Sequence, residues 1–474
     1  MSSGPSNDEL RAALHQAADW AADFIEHVDE LPVASRVQPG DVRAALPQHP
    51  PVVGESLQAM IDDVDRVIVP GLTHWNHPGF LAYFANTGSG PGILAEMMAA
   101  TLNVNAMLWQ TSPAATELEQ VVLEWVAELV GLPAGLFGQI TDSASTSTFT
   151  ALAGAREAAG QDVRDRGMAG RSDLPQLRVY ASSEAHSSVE KACIALGLGR
   201  EGFVAVGVDD RYRMKIDALT EAIEADIAAG RRPIAVVATV GTTSSTSIDP
   251  VGEVAGVCER FGLWLHVDAA YGGAAAVVPE MRWVLDHCDR ADSIVINPHK
   301  WMLVPMDCSL LWTSRPESLR AAFSLVPDYL RTGQDEVVNL MDYGLTLGRR
   351  FRSLKLWMVL RAYGAEGLAA VIGEHIRLAR LVESWADAAS DWELLAPVPF
   401  STVNLRHRPP GVDDESELER HNQAVLQAVN DTGAVYLSHT RLAGRFAIHL
   451  AVGNGATGEA HVSRAWELLE QAAG

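Results

Sequence analysis

Cysteine is scarce in this chain. The four residues present (Cys193, Cys258, Cys288 and Cys308) are scattered, without the paired spacing of a metal site or a disulfide framework. Reduced thiols and a cytoplasmic setting are the expectation. No metal is expected either, because His74 and His77 are close in sequence but have no further ligands beside them. Basic residues are also few. Lys and Arg number 36 against 60 Asp and Glu, for a net charge of −24. Such a surface repels other polyanions, so neither nucleic acid nor an anionic membrane is an expected partner. No apolar run looks long enough to cross a bilayer. The segment from Met1 to Glu9 has neither the basic flank nor the apolar core of a secretory signal. The motifs H-E-x-x-H, G-x-x-x-x-G-K-[ST], G-x-S-x-G and paired C-x-x-C are missing. One G-x-G-x-x-G match, Gly197 to Gly202, follows a helical stretch and precedes an apolar run, the reverse of a dinucleotide fingerprint.

What is present is an alternating α/β pattern. A chain of 474 residues has room for about two to four domains. Residues 1–90 read as a helical arm. Leu10, Leu14, Ala17, Trp20, Ala21, Phe24, Ile25 and Val28 recur at three- and four-residue steps behind a Ser6 or Asn7 cap, and a second amphipathic stretch runs from Ser56 to Val67. Such an arm must bury its apolar face on its own main domain or on a partner. Residues 91–365 read as a large domain. Its apolar runs Leu177–Ala181, Phe203–Val208, Ile234–Val240, Leu263–Val267, Ser293–Ile296 and Ser309–Trp312 alternate with helical stretches. That suits strands of a mostly parallel sheet buried on both faces. Residues 318–345 read as a long loop. A helix from Glu366 to Ala389 leads into a small α+β domain, 366–474. There the strand-like runs are Ser401–Leu405, Ala434–Leu437 and Arg445–Ala451, and the helices are Glu415–Asn430 and Gly458–Gln471.

In an open α/β sheet, ligands bind beyond the carboxyl ends of the strands. Reactive residue types collect at those positions here. His186 follows the first run, Gly241-Thr242-Thr243 the third, Asp268 the fourth and Lys300 the fifth. Most lysines are simply exposed, but Lys300 sits between a strand exit and the apolar Trp301-Met302-Leu303-Val304, where desolvation favours the neutral amine. An unpartnered Asp268 at a strand end would be costly unless it met a cation. A lysine that condenses with an aldehyde, and an aspartate that keeps a pyridine nitrogen protonated, are the minimal equipment for pyridoxal 5'-phosphate (PLP). The polar run Thr141–Thr148 ahead of the helical stretch Phe149–Ala159 offers hydroxyls and backbone N–H groups for a phosphate.

The stretches Thr73–Pro78, Ser112–Glu119, Ala185–Ser188, His266–Tyr271, Asn297–Trp301 and Gly348–Lys355 resemble, in order and across nearly the whole chain, the group II PLP-dependent decarboxylases. They are most similar to the aromatic-L-amino-acid decarboxylases. The resemblance implies PLP fold type I (aspartate-aminotransferase-like) and a homodimer with the active site at the interface, the arm packing across the partner. It makes Lys300 the cofactor-binding lysine and Asp268 the partner of the ring nitrogen. His186 would stack on the ring and Ala270 would lie against its other face. Ser143, Ala144, Ser145 and Asn297 would hold the phosphate with His299 close by, and Thr243 would lie near the cofactor hydroxyl. Tyr329 matches the catalytic-loop tyrosine of the decarboxylating members, whereas members with Phe there form aldehydes. Trp75, Tyr83, Phe84, Asn86, Asn105, Met107 and Gly348 would shape the substrate site. Ala85-Asn86 stands where animal members have Pro-Thr, and Asn105 where they have an aliphatic residue. Gly348 resembles the glycine of indole-accepting members, which favours tryptophan over tyrosine, dopa or phenylalanine. The rival readings are an aromatic aldehyde synthase, a decarboxylase of a non-aromatic amino acid, and a non-catalytic regulatory protein of the same fold.

Overall fold

A computed structural model describes residues 4–84, 86, 88–325 and 337–474. A seven-stranded sheet is formed by β1 (Phe137–Thr141), β2 (Leu177–Ser182), β3 (Phe203–Val206), β4 (Arg232–Thr239), β5 (Trp264–Asp268), β6 (Ser293–Ile296) and β7 (Ser309–Thr313), in the order β1-β7-β6-β5-β4-β2-β3. The run from β3 to β6 is parallel, and β7 is antiparallel to both β6 and β1. Every residue of β5 and β6 is buried, as expected for strands covered on both faces. A second, antiparallel sheet has the order β10-β11-β9-β8, from β8 (Trp392–Leu394), β9 (Thr402–His407), β10 (Ser438–Leu442) and β11 (Arg445–Ala451). The mostly parallel large sheet, the helical N-terminal region and the small C-terminal sheet are those of PLP fold type I.

Several elements depart from the pattern expected. β1 went unread because Gly138 and Gln139 interrupt its apolar run. Gly138 is tightly packed there, since a Cβ would come within 3.0 Å of Leu123 and 3.1 Å of Trp312. Residues 434–437 are not a strand. Tyr436 N–H donates to the Gly79 carbonyl and the Tyr436 carbonyl accepts from Leu81 N–H, so this apolar run pairs with the N-terminal region. The ladder begins at Ser438. The stretch 318–345 is not wholly a loop, because a helix, Pro316–Phe323, opens it with proline in its first turn and a 3-10 turn spans Leu340–Tyr343.

The helix expected from Glu366 begins at Ser353 and runs to Ala388, interrupted at Gly364, whose φ is +64°. By length and composition it could cross a membrane, although no apolar run looks long enough in sequence. Its apolar residues serve two interiors instead. Leu356, Val359, Leu360, Leu368 and Ile372 pack in the core of the large sheet, and Leu378, Ala379, Val382 and Ala386 in that of the small sheet. At the N-terminus, helix Asn7–His27 is closed by a Ser6/Glu9 capping box. It buries none of its residues, leaving Leu10, Leu14 and Ile25 nearly half exposed.

The basic cluster at 349–355 has a structural role. Arg349 Nη2 lies 2.5 Å from Glu119 Oε1 and 3.0 Å from the Ile140 carbonyl, and the same Glu119 oxygen accepts Ile140 N–H at 2.7 Å. One buried ion pair thereby ties β1 to the helix Pro113–Val130. Removing one partner strands the other charge. Arg349→Met is therefore expected to destabilise the fold by about 3–5 kcal/mol, read as loss of denaturation midpoint. A change below about 1 kcal/mol would show that the pair does not hold β1.

Candidate active site

The strand exits converge on a cavity of about 150 Å³. Asp268 and Thr239 close β5 and β4 at paired register positions. Thr243 and Gly241 follow β4, Asn297, His299 and Lys300 follow β6, and His186 follows β2. Ser143, Ala144 and Ser145 come from the start of helix Ala144–Ala158, and Phe84, Ala270 and Tyr271 complete the lining.

Lys300 sits in the short helix Pro298–Trp301, its backbone N–H donating to the Asn297 carbonyl at 3.0 Å. Its Nζ stands 5.3 Å from the centre of the Phe84 ring. Burial pushes the Lys300 ammonium below its ordinary range, and the Asp268 charge opposes that shift. Asp268 accepts Ala270 N–H at 3.1 Å.

Two histidines at the site have fixed tautomers. His186 Nδ1 accepts the backbone N–H of Ser188 at 3.2 Å, and His299 Nδ1 accepts that of Cys308 at 2.9 Å. Burial lowers both pKa values, that of His299 to about 4, so each ring is neutral near pH 7 and carries its proton on Nε2. His299 Nε2 meets the Asn297 carboxamide at 3.4 Å. Only the amide oxygen can accept that proton, so Oδ1 turns toward His299. That satisfies an Oδ1 otherwise buried without a partner and leaves the Asn297 NH2 as a donor for a bound group. Thr239 Oγ1 is a second buried cavity atom with no partner.

These features fit PLP. The start of a helix capped by Ser143 suits a phosphate, Lys300 offers a desolvated amine, Asp268 offers a carboxylate for a ring cation, and two polar atoms await partners. From the cavity a stack of rings runs inward. Phe84 lies on Tyr271 at 3.9 Å and 11°, Tyr271 on Trp301 at 4.8 Å and 12°, and Trp301 parallels His375 at 6.5 Å. Trp301 Nε1–H donates to His375 Nδ1 at 2.9 Å, and His375 Nε2–H donates to the Asn454 carbonyl.

Ten residues expected to bind the cofactor line this one cavity: Ser143, Ala144, Ser145, His186, Thr243, Asp268, Ala270, Asn297, His299 and Lys300. Phe84 lines it too. The remaining substrate-site residues lie outside its walls. Trp75 and Tyr83 stack on one another at 5.8 Å next to Phe84, and Asn86 contacts Met306. Asn105 accepts Arg349 N–H and contacts Met107, within 3.9 Å of where a Gly348 Cβ would be. Tyr329 is outside the described residues. Thr239, Gly241 and Tyr271 have no role assigned from sequence, although Thr239 lies within an apolar run, Gly241 directly follows it and Tyr271 stands four residues beyond the next.

The chain matches the pyridoxal-dependent decarboxylase conserved domain over residues 39–408. It is 39% identical to phenylacetaldehyde synthase of Arabidopsis thaliana, covering 98% of this chain and 96% of that one. It is likewise 39% identical to tryptophan decarboxylase 2 of Oryza sativa subsp. japonica, covering 98% and 95%. The structure of Oryza sativa TDC with PLP and tryptamine superposes with a TM-score of 0.95 at 36% identity, covering 99% of this chain and 98% of that one. The chain belongs to the pyridoxal-dependent decarboxylase family, as a group II member. It is a PLP-dependent carboxy-lyase.

Burial holds His266, His299, His375 and His449 each at a pKa of about 4 in the folded chain, against 6.5 for a free histidine. On acidification the unfolded chain takes up these protons first, so their contribution is full above pH 6.5 and is lost toward pH 4. Asp249, raised from 3.8 to about 6 by burial, works in the opposite sense, but it is one group against four. Melting temperature is expected to fall as pH drops from 6.5 to 4. A flat profile over that range would mean that these rings are not buried neutral.

Proposed function

We propose that this enzyme decarboxylates an L-aromatic amino acid to the aryl-ethylamine and CO2, with tryptophan the first substrate to test. The observation that carries this reading is Phe84, stacked on Tyr271 and standing over Lys300 Nζ. The side chain standing over the reactive amine is therefore aromatic and uncharged. The 39% identity to a tryptophan decarboxylase supports it. Equal identity to a phenylacetaldehyde synthase keeps the aldehyde product as the second reading, and Tyr329, by its resemblance to the decarboxylating members, favours the amine.

When bound, PLP supplies an electron-withdrawing ring that takes up the electron pair left by departing CO2. Lys300 would hold the cofactor through its amine, a role that burial assists by favouring the neutral form. Asp268 stabilises positive charge on the ring nitrogen from a fixed, dry position. His186, with Nδ1 committed to Ser188, presents Nε2–H as the only proton it can donate. Tyr329 returns a proton to Cα of the substrate.

We also place the active site at a homodimer interface. Supporting this are the uncovered apolar residues of helix Asn7–His27 and the exposed Leu94, Met97, Met98 and Leu102 of helix Gly90–Leu102. A reducing, cytoplasmic setting is consistent with four cysteines that are all free and buried.

The test is mass spectrometry of products after incubation of the PLP-loaded enzyme with a pool of L-amino acids. An aryl-ethylamine is expected. An aldehyde would establish the synthase instead, and an amine from a non-aromatic acid would sink the aromatic reading. Two variants separate the roles. Lys300→Ala is expected to abolish the visible absorption band of the lysine-bound cofactor, and its retention would remove Lys300 from that role. Tyr329→Phe is expected to divert product toward aldehyde, ammonia and hydrogen peroxide, with dioxygen as oxidant; unchanged amine output would exclude Tyr329 as proton donor.

A further inference from the structure

Tyr83 has a left-handed backbone, with φ +55°, a conformation that a residue bearing a Cβ rarely adopts. It directly precedes Phe84, the aromatic wall of the cavity. The Tyr83 backbone N–H is bonded, and its carbonyl approached, by the C-terminal domain. Tyr83 N–H donates to Ser438 Oγ at 3.0 Å, and the Tyr83 carbonyl lies 3.3 Å from His449 Nε2. His449 is buried, and its ring also meets Phe84 edge-on at 6.4 Å and 64°. Its other nitrogen, Nδ1, lies 2.9 Å from Asn404 Oδ1. The Asn404 amide is oriented by its own NH2, which donates to the Ser244 carbonyl at 2.9 Å. Both ring nitrogens of His449 thus face oxygen, and a neutral ring serves them with one proton, while the Ser438 bond to Tyr83 stands independently. The side chain of Tyr83 stacks on Trp75.

We propose that Ser438 and His449 are positioning residues for substrate recognition. They hold the Tyr83 peptide in its left-handed turn so that Phe84 faces Lys300, and in this way the C-terminal domain sets which aromatic ring the site accepts. The proposal rests on reading the Phe84 wall as the substrate wall. Neither residue lines the cavity, so each acts through Tyr83 and Phe84. Without the clamp, Tyr83 relaxes to a right-handed or extended backbone and the following side chain swings away from the cavity. That change weakens binding of the ring and leaves the reacting groups, Lys300 and Asp268, in place.

The test compares Ser438→Ala and His449→Leu with the conservative Ser438→Thr and His449→Gln, all as PLP-loaded full-length enzyme. KM and kcat are measured for L-tryptophan and L-phenylalanine, and the dissociation constant of tryptamine is measured by calorimetry. The disrupting variants are expected to raise KM and the tryptamine dissociation constant about tenfold, the scale of one lost positioning hydrogen bond. They should change kcat less than about threefold and alter the tryptophan-to-phenylalanine preference, with the conservative variants recovering most of the loss. Unchanged KM and dissociation constant in a folded Ser438→Ala enzyme would overturn the proposal, and this variant decides alone if His449→Leu does not fold. If the parent enzyme turns over a non-aromatic acid, the aromatic reading fails by itself. The clamp is then judged by whether KM for that acid rises in the same variants.

Discussion

The whole large domain is arranged around one unfavourable requirement, keeping an amine and a carboxylate together away from water. A buried carboxylate or ammonium alone would cost several kcal/mol. Parallel strands solve the placement problem. Their crossovers return every strand in the same direction, so β4, β5 and β6 deliver Thr239, Asp268 and the Asn297–Lys300 turn to one edge of one sheet. Burial then drives Lys300 toward the neutral amine while Asp268 pulls it back toward the ammonium. A lysine held between those tendencies can act as a nucleophile and still keep a counter-charge within reach. The polar atoms around it are committed in advance by backbone donors, as His186 and His299 show. The proton each ring can offer is therefore decided by the fold before any ligand arrives.

Much of this was legible in the sequence because it is local. Asp268 and Lys300 announce themselves by following buried apolar runs, and His186 and Thr243 by the same rule. The ten cofactor-binding candidates indeed share one cavity. The strands read correctly were those whose apolar character is continuous. β1 was lost to Gly138 and Gln139, residues that look like a turn but serve close packing and a side-chain bond to the Tyr343 carbonyl. The run 434–437 misled in the opposite way. Its alternation is real, but its partner lies at residues 79–81 and not in the neighbouring sheet, a pairing that no local window can reveal.

The segment leading to Phe84 was the least legible part, for a related reason. Residues 74–84 have little regular structure of their own. Their positions are dictated by contacts more than 350 residues away, from Ser438, His449 and Asn454. A motif such as Thr73–Pro78 can be matched in sequence without showing what holds it. Asn454 NH2 donates to the carbonyls of Trp75 and His77, and Thr457 donates to that of Pro78. The quoted motif is thus in part a backbone docking strip for the C-terminal domain. Similarly, Gly348–Lys355 reads as a signature of the active site, yet Arg349 and Glu119 spend their charges on β1.

These contacts give the two cores a shared element at the cavity. The ring stack from Phe84 through Tyr271 and Trp301 ends on His375, which lies in the long helix that belongs to both interiors and bonds to the Asn454 carbonyl. Asn454 in turn holds Trp75 and His77. The path therefore closes on itself: N-terminal segment, cavity, Lys300 turn, long helix, C-terminal domain, and back to the N-terminal segment. The sheet edge that carries Lys300 and the N-terminal segment that carries Phe84 are separate parts of the chain, and this ring of contacts joins them around one cavity.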